Sequence, residues 1–374
     1  MAKDSDVDPV NGSHFQRSAS RNVARRPTTK VLGLRQKRSL FRDGFVVLPG
    51  LIEQDRVVAA RRLILEHHGR PRATAAKKGT GNENHPGQSP LLLGLLDDTP
   101  LKEIVEEALG PVDPANGCQL ATRFPAAPND RVNESGYRDR DTPFRGWHGH
   151  LDGLWNGANR IHQSIERRMT PEETEAWSRE PSTNGCYKAF PDLGANIRNF
   201  AALIAVALSD QTAEGSGNFG VLKGAHHEME RFFRAQRDAG GPLGPDGPNW
   251  ARVDTDAPNG CGLRHYPDAV RAAFPSGARK TPDGKLWPKP TLLRLAPGDA
   301  AIVLHAVPHS ATRVSRTEPR LMVFFRVTPL ARPERNRIVY PEALCEIWQE
   351  WPGMADVVAE ERQRGALDKS RSCR

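Results

Sequence analysis

Phe200-Ala201-Ala202-Leu203-Ile204-Ala205-Val206-Ala207-Leu208 runs for nine residues without a polar side chain. Such a run fits a strand covered on both faces, so the rest of the chain has to supply layers on either side of it. Two later segments have the same character. Ala300 to His305 follows the turn Pro297-Gly298-Asp299, and Leu321 to Val327 follows Arg320. Thr291 to Leu295, Cys118 to Phe124 and Phe144 to Leu154 also read as strands. Helical spacing of Val57, Val58, Ala60, Leu63 and Ile64 predicts a helix ending at Gly69. A second helix is marked by Thr99 as cap, Pro100 in the first turn, the face Leu101, Ile104, Val105 and Leu109, and the stop Gly110. A third is expected over His227 to Ala239, and Leu344, Trp348, Trp351 and Val357 suggest C-terminal helices packed on the core. Periodicity thus supports a mixed, strand-rich core.

The chemistry concentrates in Trp147-His148-Gly149-His150-Leu151-Asp152-Gly153. On an extended strand side chains repeat with period two, so His150 and Asp152 project from one face and could grip one metal ion. His148 shares that parity, which leaves open a pair formed with His148. A closed set of His148, His150 and Asp152 would suit the zinc of a hydrolase. A second match, His226-His227-Glu228, follows Lys223-Gly224 and reads as part of a loop.

Far downstream, His309 stands just past the end of an apolar strand, and Arg320 lies 11 residues beyond it at the opening of the next. Two histidines and one carboxylate with three coordination positions left open make the facial triad of non-haem Fe(II) oxygenases. His150, Asp152 and His309 fit that set, and Arg320 is placed to take a carboxylate in a two-pronged charge-assisted pair. His305 with Arg316 repeats the same spacing, but Arg316 does not directly precede the strand. Arg326, of the same parity as Arg320, is a further candidate for the carboxylate. Trp147, Trp155, Phe144 and Tyr187 could line a pocket or pack in the core.

In this order and combination the chain resembles the phytanoyl-CoA dioxygenase family of Fe(II)/2-oxoglutarate oxygenases. His150-x-Asp152, His309 and Arg320 carry the resemblance. Gly44-Phe45-Val46-Val47-Leu48-Pro49-Gly50-Leu51 and Asn218-Phe219-Gly220-Val221-Leu222-Lys223-Gly224-Ala225-His226 are similar to the family's N-terminal and central segments. The chain departs from the pattern with Ala225 where the family usually has Ser, and with long inserts. The resemblance spans roughly Leu40 to Leu330. It implies a mainly β fold with added helices around a double-stranded β-helix, the cupin-like jelly roll. It also implies Fe(II), 2-oxoglutarate and O₂ as cofactor and cosubstrates, with metal ligands His150, Asp152 and His309 and with Arg320 on the far carboxylate of 2-oxoglutarate. The expected reaction is hydroxylation or a related oxidation of a small organic substrate, with release of succinate and CO₂. Asp152 favours hydroxylation over halogenation, because halogenating relatives carry Gly or Ala there. A binding protein that keeps the fold without catalysis is the competing expectation.

Length and composition set the remaining bounds. The chain has 374 residues, 37% of them hydrophobic, and no apolar run of the roughly 18 residues that a membrane span needs. Residues 1–30 are polar, basic and aperiodic and are expected to be a disordered leader. Residues 31–335 should form the jelly-roll domain, with inserts at 156–199 and 240–290, and residues 336–374 a helical extension. The net charge of +8, part of it in Arg25-Arg26, Arg35 and Lys37-Arg38, is compatible with an anionic small-molecule partner and equally with a neutral one. No aromatic residue interleaves the basic stretch Arg17 to Arg38, so nucleic acid is not expected as a partner. Cys118, Cys186, Cys261, Cys345 and Cys373 form no Cys-x-x-Cys pair, which points to free thiols and a reducing, cytoplasmic setting.

Overall fold

The computed structural model describes residues 31–69, 86–125, 143–147, 149–152, 200–240, 243, 248–249, 266–280, 284, 286–333 and 340–372. The leader 1–30, His148 and the insert 156–199 lie outside the described residues, with Trp155 and Tyr187.

Helix α1 (Leu34–Asp43) stops at Gly44, whose left-handed φ of 81° turns the chain directly into β1 (Phe45–Leu48). A side chain there would strike Val307 and His226, with a Cβ only 2.5 and 2.6 Å from their nearest atoms. Helices α2 (Gln54–Gly69), α3 (Pro90–Asp97) and α4 (Pro100–Leu109) follow. The Thr99 hydroxyl accepts the Leu101 N–H at 3.3 Å, capping α4 as its sequence predicts. Strand β2 (Gln119–Leu120) is shorter than expected, yet its register with the strand Met322–Val327 continues to the bridge Arg123↔Arg320.

The nine-residue apolar run forms β3 (Ala202–Ala207), buried at every position. It lies at the centre of a five-stranded antiparallel sheet of order β1-β8-β3-β10-β2, between β8 (Ala300–Leu304) and β10 (Met322–Val327). Both faces of β3 are covered, which is why alternation is absent from its sequence. A second antiparallel sheet, β7-β4-β9, is built from β7 (Thr291–Leu292), β4 (Phe219–Val221) and β9 (His309–Ala311). Phe219 of β4 meets Phe324 of β10 edge to face, ring centres 5.0 Å apart, so the two sheets touch through these rings. A small hairpin, β5 (Arg279–Lys280) and β6 (Leu286–Trp287), stands apart from both.

Helix α5 (Ala225–Asp238) starts two residues earlier than its spacing suggests and takes His226 and Glu228 into its first turn, correcting their assignment to a loop. Helix α6 (Asp268–Ala272) is short, and α7 (Ala355–Ser372) is the last described element. Leu344, Trp348, Trp351 and Val357 are buried in the same core cluster as β3, as expected of the C-terminal segment. Cys118 and Cys345 are buried free thiols. No helix among the described residues is long and apolar enough to cross a membrane.

The expected strand over Phe144 to Leu154 does not form as such. Phe144 (φ 61°) and Arg145 (φ 57°) adopt left-handed conformations that break any extended run. Among the described residues of this stretch, only His150 pairs, as an isolated bridge to His309.

Candidate metal centre

That single bridge organises the site. His150 donates its N–H to the His309 carbonyl at 3.0 Å, and His309 returns its own to the His150 carbonyl at 2.9 Å. Residues directly opposite in an antiparallel pair project their side chains to the same face, and the two imidazole centres lie 4.8 Å apart. His309 opens β9 instead of trailing β8, because a turn at Leu304–Val307 separates the strands. Its side of β9 also carries Phe219's ring, edge-on at 5.6 Å.

Asp152 stands two residues past His150 and reaches the same side, although no strand is formed at the described residues around it. Its Oδ1 is 3.4 Å from His150 Nε2 and its Oδ2 is 3.8 Å from His309 Nε2. One ligand atom from each of the three residues lies within 4.8 Å of the others. Donors that share one ion at about 2.0–2.2 Å sit roughly 3–3.5 Å apart, so small side-chain rotations close this set around a metal.

Protonation suits the same role. His309 Nδ1–H donates to the Val307 carbonyl at 3.0 Å, which turns the Nε2 lone pair toward Asp152. Burial lowers the His309 pKa and outweighs the neighbouring Asp152 charge, so the ring is neutral and able to ligate. Burial alone would raise the Asp152 pKa. The Arg326 charge and the His150 hydrogen bond outweigh that and hold the carboxyl well below its ordinary range.

Trp147 serves packing. It is fully buried, donates its indole N–H to the Gly220 carbonyl at 3.0 Å, and lies flat on Gly149 and Gly220. A Cβ at either glycine would come within 2.5 or 2.7 Å of the indole. These two glycines let the segment bearing His150 press against β4.

Arg320 is buried, at 2% exposure, two residues before β10, in an isolated bridge to Arg123. Its guanidinium lies 5.7 Å over the Phe324 ring, with Nη2 on Met322 Sδ (3.1 Å) and Nη1 near the Ala121 carbonyl (3.4 Å). Gly217, with φ 75°, makes room for it, since a Cβ there would sit 2.9 Å from Arg320 Cδ. The rings of Phe324 and Phe219 connect Arg320 to His309. Arg316, by contrast, is exposed. His305 is buried at the end of β8 with Nδ1 on the Ala201 carbonyl, and belongs to no ligand cluster among the described residues. His226 is likewise held by the Phe41 carbonyl through Nε2 at 2.7 Å.

The sequence pattern did not show where Arg326 goes. Considered for a cosubstrate carboxylate, it instead donates from Nε (3.0 Å) and Nη2 (2.6 Å) to Asp152 Oδ2. Gln119, opposite Phe324 in the register, accepts from the same Nη2 at 2.8 Å. Shared parity of Arg320 and Arg326 was the available signal, but it could not tell which arginine meets the protein's own carboxylate.

No family model matches the chain, and no curated protein matches it. Solved structures do. HygX from Streptomyces hygroscopicus with nickel and 2-oxoglutarate bound is similar at 17% identity over 80% of this chain and 88% of its own, TM-score 0.40. The non-haem α-ketoglutarate-dependent carbocyclase SnoK from nogalamycin biosynthesis is similar at 14% identity, over 81% and 89%, TM-score 0.41. EctD from S. alaskensis is similar at 14% identity, over 83% and 80%, TM-score 0.39.

Proposed function

We propose that this protein is an Fe(II)- and 2-oxoglutarate-dependent oxygenase acting on a small organic substrate. The observation that carries the reading is the closed backbone pair between His150 and His309 with the Asp152 carboxylate across both imidazoles. Two neutral nitrogens and one carboxylate oxygen are the donor set of non-haem Fe(II) sites and leave three positions for other ligands. In this reading His150, Asp152 and His309 hold the iron, and Arg320 takes the far carboxylate of 2-oxoglutarate. When bound, the iron supplies O₂ activation coupled to conversion of 2-oxoglutarate into succinate and CO₂.

The chain's own residues orient and shield that chemistry. Buried Arg320 gives a charge-assisted anchor worth about 1.5–3 kcal/mol for a bound carboxylate. Phe219 and Phe324 wall the space between it and His309 and keep water from that side. The two antiparallel sheets are read as halves of a jelly roll of the phytanoyl-CoA dioxygenase type, on the strength of the ordered motifs His150-x-Asp152, His309 and Arg320.

The test is turnover of 2-oxoglutarate to succinate by purified protein reloaded with Fe(II), Mn(II) or Zn(II) in air. Succinate formed only with Fe(II), and lost in Asp152→Ala, supports the reading. Activity restored by Zn(II), or undiminished in Asp152→Ala, overturns it.

A further inference from the structure

Arg326 is the one exposed residue of β10, in a strand otherwise buried throughout, yet its guanidinium is fixed from three sides. Nε and Nη2 both donate to Asp152 Oδ2, Nη2 also donates to Gln119 Oε1, and the group lies 5.6 Å over the Phe200 ring. Both bonds to Asp152 fall on one oxygen, so this is not the parallel fork that spreads over a carboxylate. Two donors occupy the lone pairs of Oδ2, while Oδ1, the oxygen nearer His150 Nε2, receives none from Arg326.

We infer that Arg326 is a positioning residue that makes Asp152 a single-oxygen metal ligand through Oδ1. The inference rests on the metal site proposed above. Its chemical consequence is a coordination position. A carboxylate binding through both oxygens would take one of the three positions that 2-oxoglutarate and O₂ need, and Arg326 keeps it open. Gln119 and Phe200 in turn hold Arg326. A second consequence distinguishes this role from plain electrostatics. A fixed positive charge beside a cation disfavours the cation, so if Arg326 acted only through charge its removal would tighten metal binding. A positioning role gives the opposite sign.

Titration of the full-length apoprotein with Co(II), read by its visible absorption, tests this in wild type, Arg326→Met, Arg326→Lys and Gln119→Leu. The expected result is an affinity roughly 10- to 100-fold weaker in Arg326→Met, as for loss of other groups that orient a metal ligand. Its absorption should also change, because Asp152 no longer presents Oδ1 in one fixed orientation. Arg326→Lys, with a single donor, should fall between, and Gln119→Leu should weaken binding less but in the same direction. Co(II) binding in Arg326→Met as tight as in wild type, or tighter, with an unchanged spectrum, overturns the inference and leaves the metal site standing. If Arg326→Met does not fold, Gln119→Leu decides by the same criterion. Absence of Co(II) binding in wild type overturns the metal site and this inference together.

Discussion

His150 and His309 exchange both of their main-chain hydrogen bonds, at 3.0 and 2.9 Å, so two imidazoles separated by more than 150 residues of sequence are set side by side by backbone alone. The ligand geometry therefore does not depend on either imidazole being present. His309→Ala should keep the β4–β9 pairing and the fold, with a far-ultraviolet spectrum like wild type, while metal binding falls at least ~100-fold, one of three ligands being gone. Metal titration with circular dichroism on the same samples checks both halves of that expectation.

Arg320 and Gly217 form a second dependent pair. Arg320→Ala should raise the 2-oxoglutarate concentration needed for half-maximal turnover roughly 10- to 100-fold, the size of a lost charge-assisted contact. Gly217→Ala should move the same quantity in the same direction, because its Cβ would collide with Arg320 Cδ and its φ of 75° disfavours any side chain. Steady-state kinetics in 2-oxoglutarate, with metal affinity measured separately, separates this from damage at the triad.

Much of this arrangement is legible in the sequence, for reasons that differ by element. Thr99, Pro100 and Gly110 are local signals whose physics acts within a turn, and α4 lies where they put it. The apolar run at Phe200 to Leu208 has no alternation because β3 is buried on both faces, so its sheet-centre position follows from composition. His150 and Asp152 are read together through strand parity, and they do share a face, although the strand shrinks to one bridged residue. The left-handed Phe144 and Arg145 that shorten it carry no glycine or asparagine signal. The partner of Arg326 was hidden for a different reason. Which carboxylate an arginine meets depends on how two sheets face one another, and that information is not local.

Acid should destabilise the protein through two histidines away from the triad. Burial pushes His226 down to about 3 and His305 down to about 4, from an ordinary value of 6.5. Both are neutral in the folded state, so above 6.5 they do not make stability depend on pH. As pH falls below 6.5 the unfolded chain takes up protons that the folded one refuses. Each histidine then lowers stability by about 1.4 kcal/mol per pH unit until its folded pKa is reached. Urea unfolding of metal-free protein between pH 7 and pH 4.5 should show a fall in stability with acid, shallower in His226→Gln; half-buried His227 and buried His309, also lowered, add to it in both proteins. A flat profile would contradict the burial of these rings.

Thr99→Ala provides a contrast remote from the chemistry. Loss of the hydroxyl that accepts the Leu101 N–H should cost about 1 kcal/mol in urea unfolding. Metal affinity and 2-oxoglutarate dependence should not change.

The most direct measurement is an anaerobic titration of the apoprotein with Fe(II) and then 2-oxoglutarate, followed by visible absorption. A keto acid chelated to iron in a two-histidine, one-carboxylate site gives a weak metal-to-ligand charge-transfer band. The band should appear in wild type, be absent in His309→Ala, and require more 2-oxoglutarate in Arg320→Ala. Folded wild-type protein that gives no band at saturating Fe(II) and 2-oxoglutarate would contradict the assignment of His150, Asp152 and His309 as an iron site.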